Sequence, residues 1–165
     1  MRKSLVLAAI LALGASSLFA ETQLGLGAAL TLPQGGSDFR RTGGAALRVG
    51  QALSYDWMIE GGVAWQENLA SLEAMALCHW TACELYDRFF GFSAFDPFFS
   101  FGAKGWVGSS HGQVGPAAGI GAFYHVNDRL SLRADATAVL GLDSERAMSY
   151  SFFAGLVYSF GEIEE

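Results

Sequence analysis

Residues 149–160, SYSFFAGLVYSF, alternate with a period of two. One parity carries Tyr150, Phe152, Ala154, Leu156, Tyr158 and Phe160, and the other carries Ser149, Ser151, Phe153, Gly155, Val157 and Ser159. A two-residue period is that of a strand, whose successive side chains point to opposite faces. The same pattern returns in 22–33, TQLGLGAALTLP, with Leu24, Leu26, Ala28, Leu30 and Leu32 on one face. It returns again in 129–142, RLSLRADATAVLGL, with Leu130, Leu132, Ala134, Ala136, Ala138 and Leu140 on one face. Across these three segments the greasy face has 17 positions and no charge, while its opposite is mostly Gly, Ala, Ser and Thr.

A face of small residues is too poor in charge for a water-exposed exterior and too small to fill a core. Those residues suit a narrow lumen, and the greasy face is then expected to point outward into hydrocarbon, the reverse of a soluble ligand-binding barrel. A large apolar side chain gains roughly 1.5–3 kcal/mol on burial, whereas a cation on a lipid face at mid-bilayer costs about 2–4 kcal/mol. The charge-free face follows that rule.

The chain of 165 residues suits one domain. Its first stretch has Arg2 and Lys3, an apolar run from Leu5 to about Leu13, and small residues ending at Ala20, the plan of a secretory signal peptide. The expected division is a signal peptide at 1–20, cleaved after Ala20, and a barrel domain at 21–165. The formal charge of −6 becomes −8 once Arg2 and Lys3 are removed. An acidic exported chain without a basic cluster is a poor nucleic-acid binder. After Ala20 no apolar run is long enough for a membrane helix.

The middle of the chain continues the pattern. Strands are expected near 45–54, near 57–66, within 86–94, within 98–108 and within 115–125, giving eight in all. Short links are expected near 55–57, 95–97 and 126–129, at turn formers Asp56, Asp96-Pro97 and Asn127-Asp128. Longer links are expected at 33–44, 67–85, 109–114 and 141–147. Short turns on one side and long loops on the other, with both termini on the short side, describe an all-β, eight-stranded antiparallel up-and-down transmembrane β-barrel. That places termini in the periplasm and long loops outside the cell. Tyr55, Trp57, Tyr124, Tyr158 and Phe160 below, with Trp65 and Tyr150 above, would form interfacial girdles.

These segments resemble the small outer-membrane β-barrel families, the OmpA transmembrane domain and OmpX-like proteins. Residues 121–142, GAFYHVNDRLSLRADATAVLGL, are similar to their penultimate hairpin, and 156–160, LVYSF, to their closing strand. The resemblance implies insertion into the outer membrane of a Gram-negative-type bacterium. It also implies that Tyr158 and Phe160 form the closing-strand signal read by the barrel-assembly machinery. The families usually end on the closing Phe, and here Gly161–Glu165 follow as a short tail.

Five ionisable residues take the inward parity: Arg48, Glu60, Lys104, Arg133 and Asp135. Charges in a narrow lumen need partners, so they are expected to plug it as ion pairs; a gated ion path, making a small ion-conducting pore, is the alternative. CHWTAC, 78–83, is expected in the longest loop, after a short surface helix in NLASLEAMAL. In an oxidising compartment Cys78 and Cys83 are expected to form a disulfide, and with His79 they are a ligand short of a structural zinc site. Ser110, His111, Asp143 and Glu145 lie in two outer loops and offer the elements of a lipid A-modifying hydrolase, although His125 lacks a following Ser at the spacing associated with the deacylases. Loop polarity explains them without catalysis. No enzyme activity, cofactor or metal is expected. The expected partners are outer-membrane lipid and an extracellular ligand met by the loops, with the barrel itself a monomer.

Overall fold

The computed structural model describes residues 21–33, 42–67, 69–80, 94–108, 112–142 and 148–160. Eight strands pair antiparallel with their sequence neighbours, and the last returns to the first, closing the sheet. They are β1 Thr22–Pro33, β2 Thr42–Ala52, β3 Trp57–Gln66, β4 Leu69–His79, β5 Phe95–Gly108, β6 Gly112–His125, β7 Leu130–Leu140 and β8 Met148–Phe160. The eight-stranded closed barrel expected from the sequence is what the chain forms.

Registers fix its shape. One row of paired residues runs from Thr22 through Gln51, Ile59, Ala76, Phe101, Ala118, Ala138 and Tyr150, and re-enters β1 at Leu32, ten residues along. With a rise of about 3.3 Å per residue and strands about 4.8 Å apart, that stagger tilts the strands by roughly 40° and gives a backbone radius of roughly 8 Å. Such an interior holds side chains and little else.

Parity sorts the side chains cleanly. None of the eight strands carries a charged residue on its outward face, and that face exposes Leu26, Leu72, Val107 and Ile120, each above 60 %. At the closing seam the inward Gly27 and Gly155 face one another. A Cβ on Gly27 would lie 2.3 Å from the Ala154 carbonyl oxygen, and one on Gly155 would lie 2.4 Å from that of Leu26. The last strand therefore closes on the first only because neither residue has a side chain.

Three expectations are corrected. The fourth strand is Leu69–His79, not a segment within 86–94, of which 86–93 lie outside the described residues. NLASLEAMAL is accordingly strand rather than surface helix. Its Leu, Glu, Ala and Met favour helices in isolation, but pairing with β3 on one side and β5 on the other overrides that preference. Phe95–Pro97 opens β5 instead of forming a turn.

Link lengths change with it. The end bearing Thr22 and Phe160, here the terminal end, has the short turns at 53–56 and 126–129 but also the longest connection, the 15 residues between His79 and Phe95. The opposite end has the two-residue link 67–68 and the three-residue link 109–111. Long links do not segregate to one end. The 126–129 turn is built as its composition suggested, with the Asn127 side-chain oxygen accepting from the backbone N–H groups of Arg129 and Leu130 at 3.0 and 2.9 Å.

Candidate functional site: the lumen

Inward positions divide into three layers. The middle one is ionic. Arg48 (β2), Glu60 (β3), Glu73 (β4), Lys104 (β5), Arg133 and Asp135 (β7) converge there, each side chain no more than 7 % exposed. Arg48 Nη1 and Nη2 donate to the two oxygens of Asp135 at 2.5 and 3.3 Å, while its Nε lies 2.6 Å from Glu73 Oε1. Lys104 Nζ donates to Glu73 Oε2 at 2.6 Å and to Ser151 Oγ at 2.9 Å. Arg133 donates from Nε to Asp135 at 2.8 Å and grips Glu60 with both terminal nitrogens, Nη2 at 3.1 Å. Three cations meet three carboxylates, so the layer is neutral. A buried charge is tolerable only with such pairing, because desolvating one ion costs several kcal/mol.

Five of these six are the inward ionisable residues named from parity, and the structure brings all five together. Glu73 is the one missed. Its signal was present, since Leu69, Ser71, Glu73, Met75 and Leu77 share a parity, but the segment's apolar residues occupy both parities and hid the alternation.

Below the ions, toward the terminal end, lies an apolar layer of Met58, Leu77, Phe98, Phe123 and Val157, all buried. It adds large apolar side chains to an inward face expected to be mostly Gly, Ala, Ser and Thr. The two layers touch: the Arg133 guanidinium carbon sits 4.8 Å from the Phe98 ring centre and 5.1 Å from that of Phe123; within the ionic layer Arg48 stacks 4.0 Å from Phe153, which pairs in register with Asp135. Toward the opposite end Thr42 donates to Gln66, which donates to Thr31, at 2.8 and 3.0 Å. Buried Leu69, Trp106 and Val139 complete that side.

The remaining candidates are placed as follows. Tyr158 and Phe160 sit outward at the end of β8, their rings edge to face at 4.8 Å. Cys78, expected in a loop, is instead the next-to-last residue of β4 at the terminal end, on the outward parity between Trp57 and Phe99 in register. Cys83, Ser110, His111, Asp143 and Glu145 lie outside the described residues, as do 1–20 and 161–165. Among the described residues no group of three or more His, Cys, Asp or Glu side chains could hold a metal ion.

No protein-family model and no curated sequence matches the chain. Solved structures do. The attachment invasion locus protein Ail of Yersinia pestis is 13% identical with a TM-score of 0.55, over 87% of this chain and 100% of that one. The N-terminal β-barrel domain of Pseudomonas aeruginosa OprF is 13% identical with a TM-score of 0.58, over 86% and 99%. Neisserial surface protein A is 13% identical with a TM-score of 0.54, over 86% and 97%. At these identities the likeness is one of fold: this chain has the architecture of the small outer-membrane barrels along nearly the whole length of each.

Proposed function

We propose that the chain is an envelope protein of the bacterial outer membrane, a barrel whose lumen is closed and whose role is structural or carried by its external loops. The observation that carries the closed lumen is the neutral, six-membered ion-pair layer backed by the aromatic layer beneath it. A water-filled path would have to break contacts in both. The exterior supports the bilayer. Its strands of 10 to 14 residues, tilted by roughly 40°, rise about 25–35 Å, enough for an apolar band about 25 Å tall. Soluble monomers rarely expose an apolar surface of that extent.

In this reading residues 1–20 are the signal peptide, lipid is the exterior's partner, and the barrel-assembly machinery inserts the monomer with Tyr158 and Phe160 in its closing strand. The termini face the periplasm, as the resemblance to the small barrels implies; link length no longer argues for it. A neighbour of the same fold named for attachment and invasion supports a loop-borne role.

Single-channel recording in planar bilayers tests the closed lumen. The refolded chain is expected to give no sustained ion current, and Lys104→Met to lower stability far more than it changes conductance. A large ion-selective current, in the parent chain or on Lys104→Met, would establish the pore instead. Migration on a denaturing gel, boiled against unboiled after a urea wash of the membranes, tests the bilayer itself; a protein that washes off and shows no shift is a soluble barrel.

A further inference from the structure

At the terminal end the lumen opens into a cavity of about 220 Å³. Its wall includes Glu21 just before β1, Gln23 at the start of β1, Tyr55 in the β2–β3 turn, His79 at the end of β4, Asp96 at the start of β5 and His125 at the end of β6. Among the described residues, two carboxylates and two imidazoles line it, with no Lys or Arg. The cavity is separate from the ion-pair layer, from which Met58, Phe98 and Phe123 divide it.

Its polar groups are unevenly satisfied. The imidazoles are engaged: His79 Nδ1 lies 2.6 Å from Asp96 Oδ2, and His125 Nδ1 lies 2.8 Å from Ser131 Oγ, with Nε2 3.8 Å from Asp96 Oδ2. Gln23 Nε2 donates to Glu21 Oε1 at 3.1 Å, which fixes which way its amide points. What remains are acceptors. Asp96 Oδ1 and Gln23 Oε1 are both buried without a partner, and a buried acceptor left unpaired costs about 1–3 kcal/mol. The missing partner is therefore a donor, and the two carboxylates on the wall favour a cationic one.

A metal ion is a poor occupant, because Asp96 already shares its other oxygen with the two imidazoles and the described residues form no metal-holding group. Tyr55, 75 % exposed at the rim, offers an aromatic face to the carbon stem or charge of an organic cation. The volume, below that of a drug-sized site, fits a short chain.

We propose that this cavity binds a primary ammonium group on an aliphatic stem, from a small free amine or from a lysine side chain of a partner. Gln23 and Asp96 both line the cavity while their unpaired oxygens are buried, so engagement requires the Gln23 amide and the Asp96 carboxylate to turn toward the ligand. The site needs neither the closed lumen nor the external loops.

The test titrates the full folded chain in micelles and follows the fluorescence of Trp57, which also lines the cavity, alongside isothermal titration. n-Butylamine is expected to bind saturably and 1-butanol, its uncharged counterpart, not to bind. Asp96→Asn should weaken butylamine at least about tenfold, the usual loss for a hydrogen bond to a charged group. Gln23→Leu, which leaves the His79–Asp96 pair intact, should weaken it several-fold and serves if the first variant fails to fold. Tighter binding of an acetylated Ala-Lys-Ala amide than of butylamine assigns the site to a partner's lysine, and the reverse assigns it to a free amine. Equal response to butylamine and butanol, or butylamine binding unchanged in a folded variant, overturns the proposal.

Discussion

The ionic layer and the apolar layer of the lumen sit one above the other and fill the same cross-section, but they do so by different physics. In the ionic layer every group depends on its partners, because removing one charge leaves another buried and unpaired. In the apolar layer Phe98, Phe123 and Leu77 depend on contact area, and a truncation leaves a void whose cost scales with its size. The first should fail all at once and the second by degrees. Arg133 is where the two meet, holding Glu60 and Asp135 while stacking on Phe98 and Phe123.

Arg133→Met is expected to have the largest effect, about 5 kcal/mol, the upper end for breaking a buried pair, since it strips donors from two carboxylates together. Reversible urea unfolding in lipid vesicles measures it. A loss of only about 1 kcal/mol would mean that water reaches Glu60 and Asp135, and the layer would not be a plug.

Phe98→Ala is expected to cost about 3 kcal/mol, with no current in bilayers because the ions above remain paired. Ion flow in this variant would show that the apolar layer, rather than the ionic one, does the sealing. Adding Phe98→Ala to Arg133→Met measures the contact between the layers. The cycle is expected to show a coupling of about 1 kcal/mol, whereas strict additivity would make the stacking incidental.

The difference between the layers also explains what was legible in the sequence. Charge on an inward parity is conspicuous, because a strand that keeps every charge off one face advertises the other; Arg48, Glu60, Lys104, Arg133 and Asp135 follow from alternation alone. Phe98 and Phe123 do not, because β5 and β6 place large apolar residues on both faces. Where outward and inward positions are both greasy, period two disappears, and it is registers that tell lumen from lipid. β4 failed for the same reason with helix formers added, and Glu73 was lost with it. Strand count survived the error because 57–79 folds back through the two-residue link at 67–68, a hairpin with no Gly or Pro to announce it. The cavity at the terminal end was not legible at all. His79, Asp96 and His125 come from three strands, and two of them sat in segments expected to be loop or turn.

The smallest expected effect is the most discriminating. Glu73→Gln alone leaves Lys104 buried with only the Ser151 hydroxyl, and Lys104→Met alone leaves the layer with one carboxylate in excess; each is expected to cost about 3 kcal/mol. Together they remove one charge of each sign. Arg48 and Arg133 then remain against Glu60 and Asp135, still neutral, with the introduced amide able to accept from Arg48, and the methionine side chain replacing most of the lysine's volume. The double variant is therefore expected to lie within about 1 kcal/mol of the parent chain, since a buried pair exchanged for groups of similar shape is often close to neutral. Denaturant midpoints of the four proteins decide it. If the double variant loses as much as the two single variants combined, Lys104 and Glu73 do not act as a pair, and the ionic layer is held by each residue's contact with the barrel wall rather than by mutual neutralisation.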